Sequence, residues 1–235
     1  VDRLAEQGAI RDGWLHFEVL SRGNDNRRFQ GQVQLIESTG VSVISDIDDT
    51  MKTTQVHDLQ LMLENTFLEE FQPVDDLQSV YRQWAAEGAS FHYVSSSPWP
   101  LFEPLNEFCQ GEGFPRGSYH LRLLRLRDHM LRRLPVIRRR GKGGKIKSIL
   151  KAFPQRQFIL VGDSAERDPE IYGAAARLYP DQVTAIYIRQ VNQLPMDSKR
   201  AEQAFRGLPR QLWSTFEAAH ELPATLLTPE TAGAP

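Results

Sequence analysis

The chain has 235 residues, a formal net charge of −2 and one cysteine, Cys109. That length suits one large domain, or a core with a small appendage, and is enough to bury a substantial core. The single cysteine excludes an intrachain disulfide and a cysteine-built metal site, the charge balance makes no case for a nucleic-acid partner, and no apolar run reaches membrane-spanning length.

Residues 1–40 read as a β segment. Trp14-Leu15-His16-Phe17-Glu18-Val19-Leu20 and Phe29-Gln30-Gly31-Gln32-Val33-Gln34-Leu35 both alternate and flank a polar turn, which is a hairpin signal. It is taken as a structural appendage. Val41-Ser42-Val43-Ile44-Ser45 follows as a buried strand. Residues 58–71 carry helical spacing, and Pro73 breaks it. A second helix starts near Asp75, the expected cap, with Leu77, Val80, Tyr81 and Trp84 on one face and Gly88 at its end.

Residues 91–95 form the next strand. Leu101, Leu105 and Phe108 then space as a helix, and residues 118–121 as a short strand. A basic stretch spans about 122–141. Residues 146–153 read as a helix ended by Pro154, 158–161 as a strand, 169–179 as a helix, and 183–188 as the last core strand. Residues 199–220 read as one or two helices around Pro209. The tail, 222–235, lacks periodicity and is expected to be disordered. Strands alternating with helices over 41–221 imply an α/β domain with a parallel sheet and helices on both faces.

The chemistry begins where the first of these strands ends, at Asp46-Ile47-Asp48-Asp49-Thr50. Three carboxylates at the end of a buried strand are costly without a cation or donated hydrogen bonds. Asp46 and Asp48, two apart in an extended segment, face the same way. An acidic turn accounts for this motif alone about as well as a metal site does. The motif has company, however. The strand at 158–161 ends in Gly162-Asp163-Ser164 and Asp168, that at 91–95 in Ser95-Ser96-Ser97, and the Gly/Lys segment Gly141-Lys142-Gly143-Gly144-Lys145 lies between them. In a parallel α/β sheet, ligands bind at the carboxyl ends of the strands.

Oxygen-only ligands there suit Mg²⁺, with Asp46, Asp48, Asp163 and Asp168 as candidate metal residues. Asp46 is the candidate nucleophile toward phosphorus, and Asp48 the general acid/base. Ser95 and Ser96 are the candidate phosphate-binding hydroxyls, and a lysine would neutralise the phosphate. His57, His92, His120 and His129 show no ligand spacing and read as structural or surface residues.

This order of motifs resembles the haloacid dehalogenase (HAD) superfamily of phosphohydrolases. Residues 45–52, 91–99 and 160–172 are more closely similar to the catalytic domain of the actin-patch-protein type of Mg²⁺-dependent phosphatidate phosphatase, itself related to the lipin catalytic domain. The resemblance covers about residues 41–191. It implies a HAD-like Rossmannoid fold and conversion of phosphatidate to diacylglycerol. It places Asp46 at the nucleophile, Asp48 at the acid/base, Ser95 at the phosphate-binding hydroxyl, and Asp163 and Asp168 at the fourth motif. For the lysine, the distance before Phe153-Pro154 favours Lys142, with Lys145 as the alternative. Only 51–73 and 98–141 leave room for insertions, so the cap is expected to be small or missing.

The basic, leucine-containing stretch reads either as a solvated loop or as a flap drawn to anionic lipid. The expected partner is phosphatidate or another phosphomonoester, with peripheral contact to an anionic membrane. A phosphatase for a soluble phosphomonoester and a non-catalytic phosphatidate-binding module are the alternatives; Asp48 speaks against the latter. The expected location is the cytoplasm or a membrane surface. A targeting segment upstream of Val1 stays open.

Overall fold

In the computed structural model, which describes residues 8–20, 27–53, 72–123, 134–191 and 195–226, the chain divides into two compact units, Val1–Ser38 and Thr39–Pro235. The first holds β1 (Ile10–Arg11), β2 (Trp14–Leu20) and β3 (Arg28–Gln34), antiparallel in that order. Leu15 opposes Val33, Phe17 opposes Gly31 and Val19 opposes Phe29, so period-two alternation puts the apolar residues on one face.

The second unit is built on β4 (Val41–Ser45), every residue of which is buried. After it come a two-stranded antiparallel ladder of β5 (Lys52–Thr53) with β6 (Gln72–Pro73), then α1 (Leu77–Ala86), β7 (Ser90–Pro98), α2 (Phe102–Gly111), β8 (Gly117–Arg122), α3 (Leu134–Ala152), β9 (Gln157–Asp163), α4 (Asp168–Leu178), β10 (Val183–Arg189), α5 (Ser198–Ala204) and β11 (Trp213–Phe216). The main sheet has six strands in the order β11-β10-β9-β4-β7-β8, and all neighbours are parallel.

A strand buried on both faces must offer apolar side chains to both. Val43, Phe91, Tyr93, Ile159, Val161 and Tyr187 point to one face, where Leu77, Tyr81 and Trp84 of α1 and Leu105 and Phe108 of α2 cover them. Ile44, Val94, Phe158, Leu160, Ile186 and Ile188 point to the other, against Ile146, Ile149 and Leu150 of α3, Tyr172 and Ala176 of α4, and Ala201 of α5. Helices therefore lie on both faces. Arg156, buried before β9, donates to the carbonyls of Thr39 and Val41 and to Ser42 Oγ at 2.9 Å, which fastens the start of β4.

Several sequence expectations are corrected. The helices expected over 199–220 are one short helix, α5, and then a sixth strand, β11. That strand is four residues long, too short for its period to be told from a helical one. The helix expected from residue 146 begins at Leu134, so 134–141 of the basic stretch is helical backbone rather than loop. Asp75 does not cap α1; Asp76 occupies that position, in the left-handed region at φ 59° and with no side-chain cap bond. Of the tail expected to be disordered, residues 222–226 are held in place: Leu222 and Leu226 are buried, Trp84 Nε1 donates to the Pro223 carbonyl at 2.9 Å, and Leu226 N–H to Glu87 Oε2 at 2.7 Å; residues 227–235 lie outside the described residues. The helix expected over 58–71 and the interleaved Arg/Leu segment 124–133 lie outside the described residues.

Candidate active site

From β4 the chain proceeds outward through β7 to β8, then returns to the other side of β4 and proceeds through β9 and β10 to β11. The order reverses between β4 and β9, and such a switch point opens a crevice at the carboxyl ends of the strands. Asp46 directly follows β4, its N–H donating to the Val161 carbonyl at 2.9 Å. Asp163 ends β9, and Asp168 opens α4. All three are buried. Each offers a carboxylate oxygen within 4.8 Å of the others.

Lys142, on α3 and 3% exposed, reaches this group. Its Nζ lies 2.7 Å from Asp46 Oδ1, 2.5 Å from Asp168 Oδ1 and 3.5 Å from Glu166 Oε2. Glu166 N–H donates to Asp163 Oδ1 at 2.9 Å. Thr50 Oγ1 stands 3.4 Å from both Asp46 Oδ2 and Asp163 Oδ2. Gly162 is needed here for space: a Cβ on it would overlap the Asp168 carboxylate.

One lysine against three buried carboxylates leaves negative charge uncompensated. Burial, and then the neighbouring carboxylates, push Asp46 well above the usual carboxylate range and Asp168 up to about 7, although Lys142 opposes both shifts. Asp163 is raised by the same burial. Lys142 suffers the opposite desolvation, but Asp168 and Asp46 outweigh it and hold the ammonium charged. An all-oxygen, anion-rich cluster of this kind fits a hard divalent cation, which would draw the carboxylates back to their ionised forms.

Asp48 stands apart from the cluster. Its Oδ1 pairs with Lys52 Nζ at 2.8 Å, while Ser95 Oγ and Ser97 Oγ donate to Oδ2 at 2.7 and 2.9 Å. Burial alone would raise its pKa, but the Lys52 charge and these donors more than offset that and lower it. Asp48, expected with the other three around a cation, is not in the group that Asp46, Asp163 and Asp168 form; its side chain is held by Lys52 and the two serines. Asp49 adopts φ 56°, and its carbonyl accepts from Arg189 Nη1 at 2.7 Å.

Of the two candidate lysines, Lys142 meets Asp46. Lys145 Nζ instead donates to the His120 carbonyl at 2.9 Å and lies 3.5 Å from the Ser95 carbonyl. Ser96 Oγ lies 3.3 Å from Glu166 Oε2. His92 and His120 both meet Ser118 Oγ, at 2.8 and 3.0 Å; His57 and His129 lie outside the described residues.

Sequence reasoning missed Lys52, Ser97, Glu166 and Arg200. Ser97 was within reach, because it shares a strand face with Ser95 two positions earlier. The Arg200 guanidinium donates to the Ser164 and Glu166 carbonyls at 2.5 and 2.6 Å and to Glu170 Oε1 at 3.0 Å, which fixes the loop after β9. It comes from a helix thirty or more residues downstream, so no local spacing announces it.

The fold and this centre define a doubly wound α/β domain with a carboxylate–lysine site at its switch point. Residues 41–190 match the family model for the phosphatidate phosphatase APP1 catalytic domain, and the chain belongs to that family. It is 36% identical over 154 residues to phosphatidate phosphatase APP1 of Saccharomyces cerevisiae, covering 64% of this chain and 26% of that protein. It is 28% identical over 169 residues to the uncharacterized protein C29B5.04c of Schizosaccharomyces pombe, covering 70% of this chain and 27% of that one. The chain thus spans about a quarter of the length of these relatives. Among solved structures, a haloacid dehalogenase-like hydrolase from Burkholderia xenovorans aligns at TM-score 0.48 and 11% identity, over 77% of this chain and 96% of that one. A D,D-heptose 1,7-bisphosphate phosphatase of B. bronchiseptica, complexed with magnesium and phosphate, aligns at TM-score 0.42 and 16% identity, over 76% of this chain and 93% of that one.

Proposed function

We propose that this domain is a Mg²⁺-dependent phosphatase that hydrolyses a phosphomonoester, phosphatidate in particular, through an aspartyl-phosphate on Asp46. The observation that carries this reading is the buried group of Asp46, Asp163, Asp168 and Lys142 at the strand ends. The three carboxylates would hold the cation, and when bound it supplies the positive charge that lets two anions, Asp46 and the phosphate ester, approach each other.

A carboxylate oxygen of Asp46 attacks phosphorus, and the bond from phosphorus to the ester oxygen breaks. Asp48, which Lys52 and the two serines keep ionised in the resting site, takes up the proton of the phosphomonoester monoanion as it binds and passes it to the departing oxygen. In the second half, Asp48 takes a proton from a water that attacks the phospho-Asp46, releasing phosphate and restoring the carboxylate. Lys142 neutralises the phosphoryl group and orients Asp46. Ser95 and Ser97 hold the Asp48 carboxylate in place, and Lys52 fixes its other oxygen. Ser95, Ser96 and Lys145 line the approach for the phosphate. Family membership supports the choice of phosphatidate. No helix among the described residues is long and apolar enough to cross a membrane.

The test is phosphate release from phosphatidate in mixed micelles, beside a panel of sugar phosphates and nucleotides. Release from phosphatidate is expected to lead the panel, to stop with a chelator, to return with Mg²⁺ more than with Zn²⁺, and to fall to background in Asp46→Asn while the fold persists. Faster turnover of a soluble ester would give the site to that substrate instead. Full activity in Asp46→Asn would remove the aspartyl-phosphate.

A further inference from the structure

Parallel strands end on the same edge of a sheet, and β7 and β8, after a shift of register between Val94 and Pro98, end as a pair: Pro98 is the pairing partner of Arg122. The residues that follow, Trp99 and Leu123, therefore emerge side by side. Both are exposed, at 40% and 76%. In the Thr39–Pro235 unit only three large apolar side chains among the described residues are exposed, and the third, Leu178, ends α4 at the opposite edge of the sheet. Within this unit, exposed apolar surface is thus concentrated where the site opens. Trp99 lies two residues beyond Ser97, at most about 7 Å of backbone, and Ser97 is hydrogen-bonded to Asp48.

The surroundings say what this rim meets. Trp99 rests on Phe102 with ring centroids 5.7 Å apart, and Phe102 packs edge-on against Tyr119 of β8 at 5.2 Å. The indole thus has a rigid aromatic base and an open outer side. Beneath the rim are cations. Arg122 ends β8 next to Leu123, and Lys145 Nζ donates at 2.9 Å to the carbonyl of His120, two residues before Arg122; burial and then the Arg122 charge lower Lys145 to about 8, so an anion at this edge would meet two neighbouring cations. The sequence after Leu123 continues Leu124-Arg125-Leu126-Arg127. An indole and a leucine set above clustered cations match the two layers of an anionic bilayer surface, apolar chains and charged headgroups. A protein partner would not call for this concentration of positive charge.

We propose that Trp99 and Leu123 form a membrane-docking rim that seats the strand-end site on an anionic bilayer. This rests on the reading of the domain as a phosphatidate phosphatase and adds how the site meets a substrate that stays in the membrane. The full chain is mixed with phosphatidylcholine vesicles with and without phosphatidate and sedimented, and Trp99→Ser with Leu123→Ser is compared with the unaltered chain. Both positions are exposed, so the double variant should keep its unfolding temperature. It is expected to bind phosphatidate vesicles at least tenfold more weakly, and Trp99→Phe should keep most of the binding.

Equal binding by the unaltered and doubly altered chains would overturn the rim, as would failure of the unaltered chain to bind. A concentration-dependent dimer that the double variant loses, with no vesicle binding, would give the rim to a second copy and also overturn it. Phosphate release from monomeric short-chain phosphatidate is read in parallel. Release without vesicle binding sinks the rim and spares the catalytic reading. Rim-dependent binding without release supports the rim and sinks the catalytic reading.

Discussion

Lys142 is the residue on which the electrostatics of the centre turn. It is the only cation whose ion pairs reach both Asp46 and Asp168 among the described residues. Removing one partner of a buried charge group leaves the others stranded, at a typical cost of about 3–5 kcal/mol. Lys142→Met is therefore expected to lower the urea midpoint by an equivalent amount in the presence of a chelator. Millimolar Mg²⁺ should restore part of it, because a cation held by Asp46, Asp163 and Asp168 takes over the missing charge. A midpoint unmoved by the substitution would mean that the carboxylates are protonated in the resting protein. Lys52 plays the corresponding part for Asp48, and the two lysines keep the proposed nucleophile and proton carrier on separate partners.

At the scale of elements, the contact between β9 and the start of α4 decides whether the third carboxylate, Asp168, reaches the centre. Gly162 allows it, since a Cβ there would enter the Asp168 carboxylate. Overpacking of this kind costs about 1–3 kcal/mol, so Gly162→Ala should lower the unfolding midpoint by that amount. It should lower phosphate release by more than the loss of folded protein explains, because Asp168 must move. Equal losses in both readouts would show that Asp168 does not matter to turnover.

Elements also show where the sequence is informative. β4 and β9 were legible because a strand buried on both faces must be apolar throughout, and the acids that follow them stand out against that run. The first half of α3 was not, since Arg138-Arg139-Arg140 and Gly141, Gly143 and Gly144 interrupt any apolar stripe. Pro135, in the first helical turn, was its one available start signal. β11 was hidden by its length. The site followed the same division: Asp46 and Asp163 were readable from motif order and the lysine only as Lys142 or Lys145, with the family resemblance favouring Lys142, whereas Lys52, Glu166 and Arg200 matter only through contacts made across the fold.

At the scale of the molecule, acid stability reports on the packed sheet. His92, on β7, is almost fully buried; burial, then His120, then Arg156 lower its pKa from 6.5 to about 3. The unfolded chain therefore takes up a proton near pH 6.5, while the folded one resists until about pH 3. The contribution is fully present above the unfolded value and is lost as pH falls, at up to about 1.4 kcal/mol per pH unit. His120, lowered to about 4 by its own burial and by Lys145, adds to the slope over the same interval. His92→Gln should flatten the plot of unfolding free energy against pH between about 6.5 and 4, measured by urea titration at each pH. Identical slopes would place the acid sensitivity in other groups.

The stretch from Leu222 to Leu226 closes the face that α1 covers. Its carbonyl at Pro223 takes the indole N–H of Trp84, and its amide at Leu226 is held by Glu87. A protease that clipped the chain just after the short 3-10 turn at Ala219–Glu221 would leave the Trp84 N–H without its acceptor and uncover the apolar wall behind it. A fragment trimmed ahead of Leu226 should be expected to clump rather than stay dispersed.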